Sequence, residues 1–431
     1  MSISQNFPEE GPTLNLNFAG SKTLDPRITF SRTTTGTYMD ANGLIVTAPA
    51  DAPRFDHRYV NGEIESLGLL VEEDRSNLFT YSTFYGDNGL SNVGINTNVS
   101  GISAPDGTFT AAEMYGSDST NNVKYMYKSY LTNTLGTYTT SVFMKYKNER
   151  YTVLRMNDNT GVNGCLQRID IQNGIFTNPV ETGGTLTGAA STITAYPNGW
   201  YRVSLTGTFV DALTQVQGSQ VYITTFGATT STNGIYLWGA QLEQGSFATS
   251  HIPRPDASTA TRNHDRAYYE NVDQTEWFNK TEGTLVFEHT DVPYSSSTSI
   301  GWPAVGFGET AGGGSNPSIQ YFITKDYGDA QYLVRRFYPG GDSANITPPG
   351  GTGSAAPASK VGFVYKADDY ALVRNGSLVG IDTSGAVPDA YTLIFGMNGV
   401  TATEPNWNAH LKNLQYYPTR LSNTVLQNLT K

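Results

Sequence analysis

Long apolar runs are missing from this chain of 431 residues, and so is any density of charge. No stretch approaches the ~18 apolar residues that suggest a membrane-spanning helix. The opening "MSISQNFPEEG" has no basic segment followed by an apolar one. The expectation is a protein neither exported by a standard signal nor inserted in a membrane. Charged residues are 15% of the chain, against roughly 25% in ordinary domains. Those present lean acidic, 38 Asp and Glu against 27 Lys and Arg, giving a net charge of -11 with no basic cluster. A phosphate backbone needs a basic surface, so nucleic acid is not an expected partner.

Cysteine is nearly absent as well. Cys165 alone cannot form an intrachain disulfide, and it lies in a strand pattern with no histidine near it, so it reads as a small buried hydrophobe. His57, His251, His264, His289 and His410 include no HxH or HExxH pair. A GxSxG elbow is missing, and "GFGETAGGGSNP" (306–317) has the glycines of a phosphate loop without its Lys-Ser/Thr ending. Oxygen-rich turns at Asp87-Asn88 and Asp368-Asp369 leave a structural calcium open, with no DxDxDG loop to specify one. No other cofactor is expected, and no metal ligand can be assigned.

What is abundant is turn and strand chemistry. Gly 45, Tyr 27 and frequent Thr and Ser fit short strands joined by tight turns, and the expected fold class is all-β. Residues 1–74 read as an irregular arm of short strands broken by Pro26, Asn42-Gly43 and Pro53. With no second layer of its own, the arm would need a surface supplied from outside, suited to attachment to a particle or to sister subunits. Over 75–253, runs such as "TYTTSVFMKY", "WYRVSLTGTF" and "QVYITTF" alternate with Asn-Gly turns, the pattern of a jelly roll or β-sandwich. In "GIYLWGAQLEQGSF", Tyr236, Trp238, Ala240 and Leu242 share one side at period two, which places Trp238 in the sandwich core. Polar "HIPRPDASTATRNHDRA" ends the pattern, and 254–267 reads as a linker. A second sandwich follows over 268–431, with a hairpin at Asn375-Gly376 and a short closing helix capped by Ser422.

Several stretches are carried by more than pattern. "ITFSRTTTGTYMDANGL", "PRFDH", "LGLLVEEDRSNLFTYS", "YPNGWYRVSLTGTF" and "GIYLWGAQLEQGSFATSHIP" resemble the carbohydrate-binding-like module of tailed-bacteriophage head spikes and fibres, over about 18–266. "GTLVFEH", "KADDYALVRNGSLVG" and "HLKNLQYYPTRLSNTVLQNL" resemble the concanavalin A-like (laminin G-like) lectin fold. The resemblance implies two jelly-roll or β-sandwich domains in tandem behind the N-terminal arm. It also implies a structural protein on the virion surface, a spike, fibre or decoration, with other virion proteins, a homo-oligomer and host-surface carbohydrate as partners. No internal repeat of fixed period marks a long fibre stalk.

Carbohydrate recognition uses aromatic rings against sugar faces. The aromatic candidates are Trp302 and Trp407, which sit among turn residues, and Tyr125 and Tyr127, which share a strand face. Two alternatives remain, a polysaccharide-degrading glycoside hydrolase and a free lectin. Hydrolysis needs two facing carboxylates, and the best local pair, Glu288 and Asp291, points to opposite faces of a strand. The expectation is therefore a protein that is not an enzyme.

Overall fold

The computed structural model describes residues 8, 10–85, 90–116, 124–211, 214–223, 233–256, 258, 260–291, 302–303, 305–308, 322–325, 333–335, 345–346, 357–387, 390–396 and 407–431. The fold is all-β, built as two antiparallel sandwiches.

The first sandwich faces a six-stranded sheet against a seven-stranded one. The six run in the order Thr187–Tyr196, Trp200–Phe209, Gly136–Tyr146, Gly234–Gln244, Ala112–Gly116 and Ile95–Val99. The other sheet centres on Tyr151–Asp158, Gln215–Ile223 and Tyr125–Leu131. Alternate residues of both, among them Val142, Met144, Leu154, Met156, Val203, Leu205, Val221 and Leu237, form one buried core. Burial of this kind stabilises at roughly 25 cal/mol per Å² of apolar surface and is what holds the layers together. Cys165 is in that core, and burial pushes its thiol up to about 12, the state of an inert packing residue.

Trp238 departs from the period-two expectation. Ile235 and Leu237 face the core, and so do Ala240 and Leu242, which alternation alone would put on the other side. The register slips between Ser141 and Phe143 on the partner strand, and Gly239 takes φ 66, the left-handed conformation a bulge favours. Trp238 is consequently half-buried on the outer face, where its ring meets Phe143 and His251 at 5.2 and 4.6 Å and its indole N–H donates to Thr110 Oγ1 at 3.0 Å.

The second sandwich is assembled from both ends of the chain. Its eight-stranded sheet runs Ser377–Asp382, Tyr370–Arg374, Ser359–Lys366, Glu282–His289, Ala409–Tyr417, Glu63–Val71 and Phe55–Val60, with Leu14–Leu16 also paired to Ala409–Tyr417. A four-stranded sheet packs against it in the order Ile28–Ser31, Arg266–Glu270, Thr392–Phe395 and Val305–Gly308. Leu14, Leu16, Phe18, Ile28, Leu69 and Val71 share one core with Leu285, Phe287, Phe363, Leu393, Leu411 and Leu414. This corrects the expectation for 1–74. Strands Leu14–Leu16, Ile28–Ser31 and Glu63–Val71 do need an outside surface, and later strands of the same chain supply it. Helix Asn423–Leu429 is capped by Ser422, whose hydroxyl accepts from Val425 N–H, as the sequence indicates.

The 254–267 stretch differs from a linker in the same way. Strand Ala260–Arg262 pairs with Arg75–Asn77, so the two crossings between sandwiches are hydrogen-bonded to each other. At this crossing Asp265, fully buried, accepts from Arg32 Nη1 at 2.9 Å and from Arg54 Nη2. Glu72 accepts from Arg54 Nη1 at 2.7 Å and lies 3.3 Å from Arg262 Nη1. Removing one partner of such a buried pair leaves a charge without compensation. Asp265→Ala should cost about 3–5 kcal/mol in denaturant unfolding, and limited proteolysis of the native chain should spare 260–267. A parent-like midpoint, or ready cleavage there, contradicts this reading of the junction.

Candidate functional site

Where the two sandwiches meet, the chain leaves a cleft of about 220 Å³. Its floor is the outer face of the eight-stranded sheet. Leu69 and Val71 point to the core, so Leu70 between them faces out, and the same alternation turns His410 out between Ala409 and Leu411. Strand Phe55–Val60 adds Asp56 and His57, strand Gly36–Met39 adds Tyr38, and Tyr196, Arg202 and the 247–251 segment close the cleft from the first sandwich.

The polar groups converge in an ordered way. Asp56 Oδ1 accepts from the Met39 and His57 backbone N–H groups at 2.7 and 2.9 Å, while Oδ2 lies 2.8 Å from His410 Nε2. Thr290 Oγ1 accepts the His410 backbone N–H at 3.0 Å and leaves its own hydrogen available to His410 Nδ1, also at 3.0 Å, while the Asp56 carboxylate on the other side of the ring accepts. That network assigns the His410 proton to Nε2, donated to Asp56. His57 Nδ1 donates to Met39 O at 3.0 Å, which makes Nε2 the acceptor atom, and it is buried with no partner among the described residues. Arg202 donates to Thr249 O at 2.7 Å and to Ser141 Oγ at 3.0 Å, with its guanidinium 5.3 Å from the Phe143 ring centre.

Electrostatics sort these groups by charge state. Burial would raise Glu72, but Arg262, Arg54 and two hydrogen bonds from Ser250 outweigh it and hold the carboxyl well below the usual range. Burial raises the Tyr196 phenol, with Arg202 opposing, so it stays protonated at neutral pH. Burial, reinforced by Arg202, lowers His251 to about 3. At neutral pH the cleft thus offers an ionised carboxylate, a guanidinium, a phenol and a neutral imidazole.

The aromatics singled out in the sequence lie elsewhere. Trp407 is 3% exposed. It fills the second core against His289 at 5.2 Å, over Gly396, where any side chain would meet the indole. It is therefore removed as a sugar platform; the neighbouring Asn408 and His410 are the members of that stretch that reach the cleft. Tyr125 and Tyr127 are half-buried on the outer face of the seven-stranded sheet. Tyr125 stacks on Tyr222 at 4.8 Å and on Tyr127 at 6.1 Å, so its ring stands between two others and Tyr127 turns one face to it. The Trp302 backbone forms strand Trp302–Pro303, and its side chain lies outside the described residues. Asp87 and Asn88 lie outside them too, and Asp369 is taken by Arg420 at 2.7 Å. Among the described residues no group of three or more His, Cys, Asp or Glu side chains is arranged to hold a metal ion.

No protein-family model and no curated protein matches the chain. Among solved structures, Trypanosoma rangeli sialidase in complex with sialic acid aligns at 11% identity and a TM-score of 0.29, covering 74% of this chain and 60% of that one. The same sialidase in complex with the inhibitor DANA aligns at 11% identity and a TM-score of 0.29, over 100% of this chain and 73% of that one. In the first of these alignments the chain spans about three fifths of the sialidase's length. A likeness at this level transfers neither site nor activity.

The histidine buried at the cleft makes stability depend on pH. His251 titrates at about 3 when folded, against 6.5 ordinarily, so between those values the unfolded chain binds more protons and stability is lost as the pH falls. His289, lowered by burial to about 4, acts in the same direction. The melting temperature should hold above pH 6.5 and drop as the pH falls toward 4, and His251→Gln should remove part of the drop. An unchanged slope in that variant contradicts a neutral buried His251.

Proposed function

We propose that this chain is a non-catalytic structural protein of a tailed-phage particle, displayed on the virion surface, that holds a host-surface glycan in the cleft between its sandwiches. The observation that carries the reading is the convergence of hydroxyl-partnering groups on one small cleft. Asp56, Asn408, His410, Tyr196 and Arg202 supply acceptors and donors, and Tyr38 and Phe247 flank them with rings. The particle context rests on the spike and fibre resemblance, and all five stretches quoted for it contribute residues to this cleft. Other virion proteins and further copies of the chain are the partners that context implies.

Binding without hydrolysis fits the electrostatics. A glycosidase needs one carboxylic acid kept protonated to donate to the leaving oxygen. Glu72 is held ionised by two arginines, and Asp56 accepts from two backbone N–H groups and lies against His410, with one acceptor position on Oδ2 left for a ligand. Neither is placed to give up a proton.

On a host-polysaccharide array, Arg202→Gln and Asp56→Asn should each lower binding roughly ten- to hundredfold, the loss expected for a charged hydrogen bond, with melting followed to confirm the fold. Release of new reducing ends by the parent protein would replace this reading with the hydrolase. Binding unchanged in both variants would remove the cleft, and absence of the chain from purified particles would remove the virion role.

A further inference from the structure

The outer face of the eight-stranded sheet holds a second concavity, away from the cleft. Helix Asn423–Leu429 covers one part of that face, seating Leu426 among Val286, Val364, Ala371, Val373 and Tyr417. Between the helix end at Leu429 and strand Leu14–Leu16 lies a groove of about 300 Å³.

Strand register decides what faces it. Asn15 pairs with Gln415, and Gln415 with Val286. Two residues along, Asn413 pairs with Glu288, and Glu288 with Lys360. Residues two apart in a strand share a face, so these rows form one patch, with ~4.8 Å between strands and ~7 Å between rows. A bulge sharpens it: Asn413 opposes Glu288 but Leu411 opposes His289, which leaves Lys412 as the extra residue. Lys412 Nζ and Asn413 Nδ2 then reach the two oxygens of Glu288, each at 3.2 Å. Both contacts are at the long end of the hydrogen-bond range, so a ligand group can take their place. The Asn15 side chain has no hydrogen-bond partner among the described residues, and Lys360 Nζ donates to Lys431 O at 2.8 Å.

We propose that this groove is a binding site for a neutral, hydroxyl-rich ligand, a saccharide segment lying across the strands, separate from the cleft. Each amide of Asn15, Asn413 and Gln415 offers a donor and an acceptor, the combination a sugar hydroxyl also presents. Glu288 opposes an anion, and Lys360 and Lys412 oppose a cation. At 300 Å³ it is at the lower end of small-molecule sites and matches a short stretch of sugar.

The test silences the cleft first. Full-length protein carrying Arg202→Gln is titrated with maltohexaose, a mannan hexasaccharide and a galactan oligosaccharide. At least one should bind in the range of ~1 mM. Adding Asn413→Ala and Gln415→Ala, both at the partly exposed surface, should weaken that binding by about tenfold or more with the melting temperature preserved. Raising the salt should leave it unchanged, since a neutral ligand has no charge to screen. The proposal is overturned if no sugar of the panel binds the cleft-silenced protein, if the double substitution leaves binding intact, or if salt abolishes it. Failure of the cleft reading looks different: Arg202→Gln would then leave sugar binding at its parental level.

Discussion

Three arginines and two carboxylates, taken out of water together at the double crossing between the sandwiches, set the terms for everything else in this protein. Arg32, Arg54 and Arg262 share Asp265 and Glu72, and further guanidinium hydrogens go to backbone carbonyls of Thr34, Thr37, Pro49 and Glu73 and to the hydroxyls of Thr249 and Ser250. Desolvating such charges costs several kcal/mol per ion, so the cluster is better understood as a specifier of geometry than as a net source of stability. Its members come from residues 32, 54, 72, 262 and 265, and they pair only when the N-terminal segment, the entry to the first sandwich and its exit occupy one arrangement. Apolar burial could tolerate a slipped strand here; this network could not.

The cleft is a by-product of the same crossing. Glu72 takes Arg54 on one side and the Ser250 backbone and hydroxyl on the other, which draws the 247–251 segment over the outer face of the eight-stranded sheet. Asp56 and His410, on neighbouring parts of that sheet, are then roofed by Tyr196 and Arg202 from the other sandwich. No single element owns the site. A ligand there would touch both sandwiches and bias their relative placement.

Much of the local structure was legible in the sequence. The strand class, the Asn375-Gly376 hairpin, the Ser422 cap and the inert Cys165 follow from propensity, turn chemistry and the lack of a partner histidine. What failed was long-range or depended on one residue of register. Trp238 changed faces because a bulge at Gly239 breaks the alternation, and a glycine in a strand was the available signal. Trp407 looked like a loop aromatic because its neighbours are turn formers, while its ring is covered by residues distant in sequence. The supposed arm and linker are polar and carry the ion cluster, in which the contacts of Asp265 span 193 to 233 residues. Composition cannot separate a solvated linker from a buried polar junction. The five charges lie in "SRTTTG", "PRFDH", "LLVEEDR" and "TATRNHDR", four short stretches spread over more than 230 residues of sequence.

The central claim is that the N-terminal segment and the C-terminal strands are one folding unit closed by this cluster. Native-state hydrogen exchange read by mass spectrometry tests it most directly. Amides of Leu14–Leu16, Ile28–Ser31 and Glu63–Val71 should open with the same free energy as those of Ser359–Lys366 and Ala409–Tyr417, the strands beside them in the core. Exchange of the N-terminal strands through a separate opening, ~2 kcal/mol or more below that of the C-terminal ones, would contradict it.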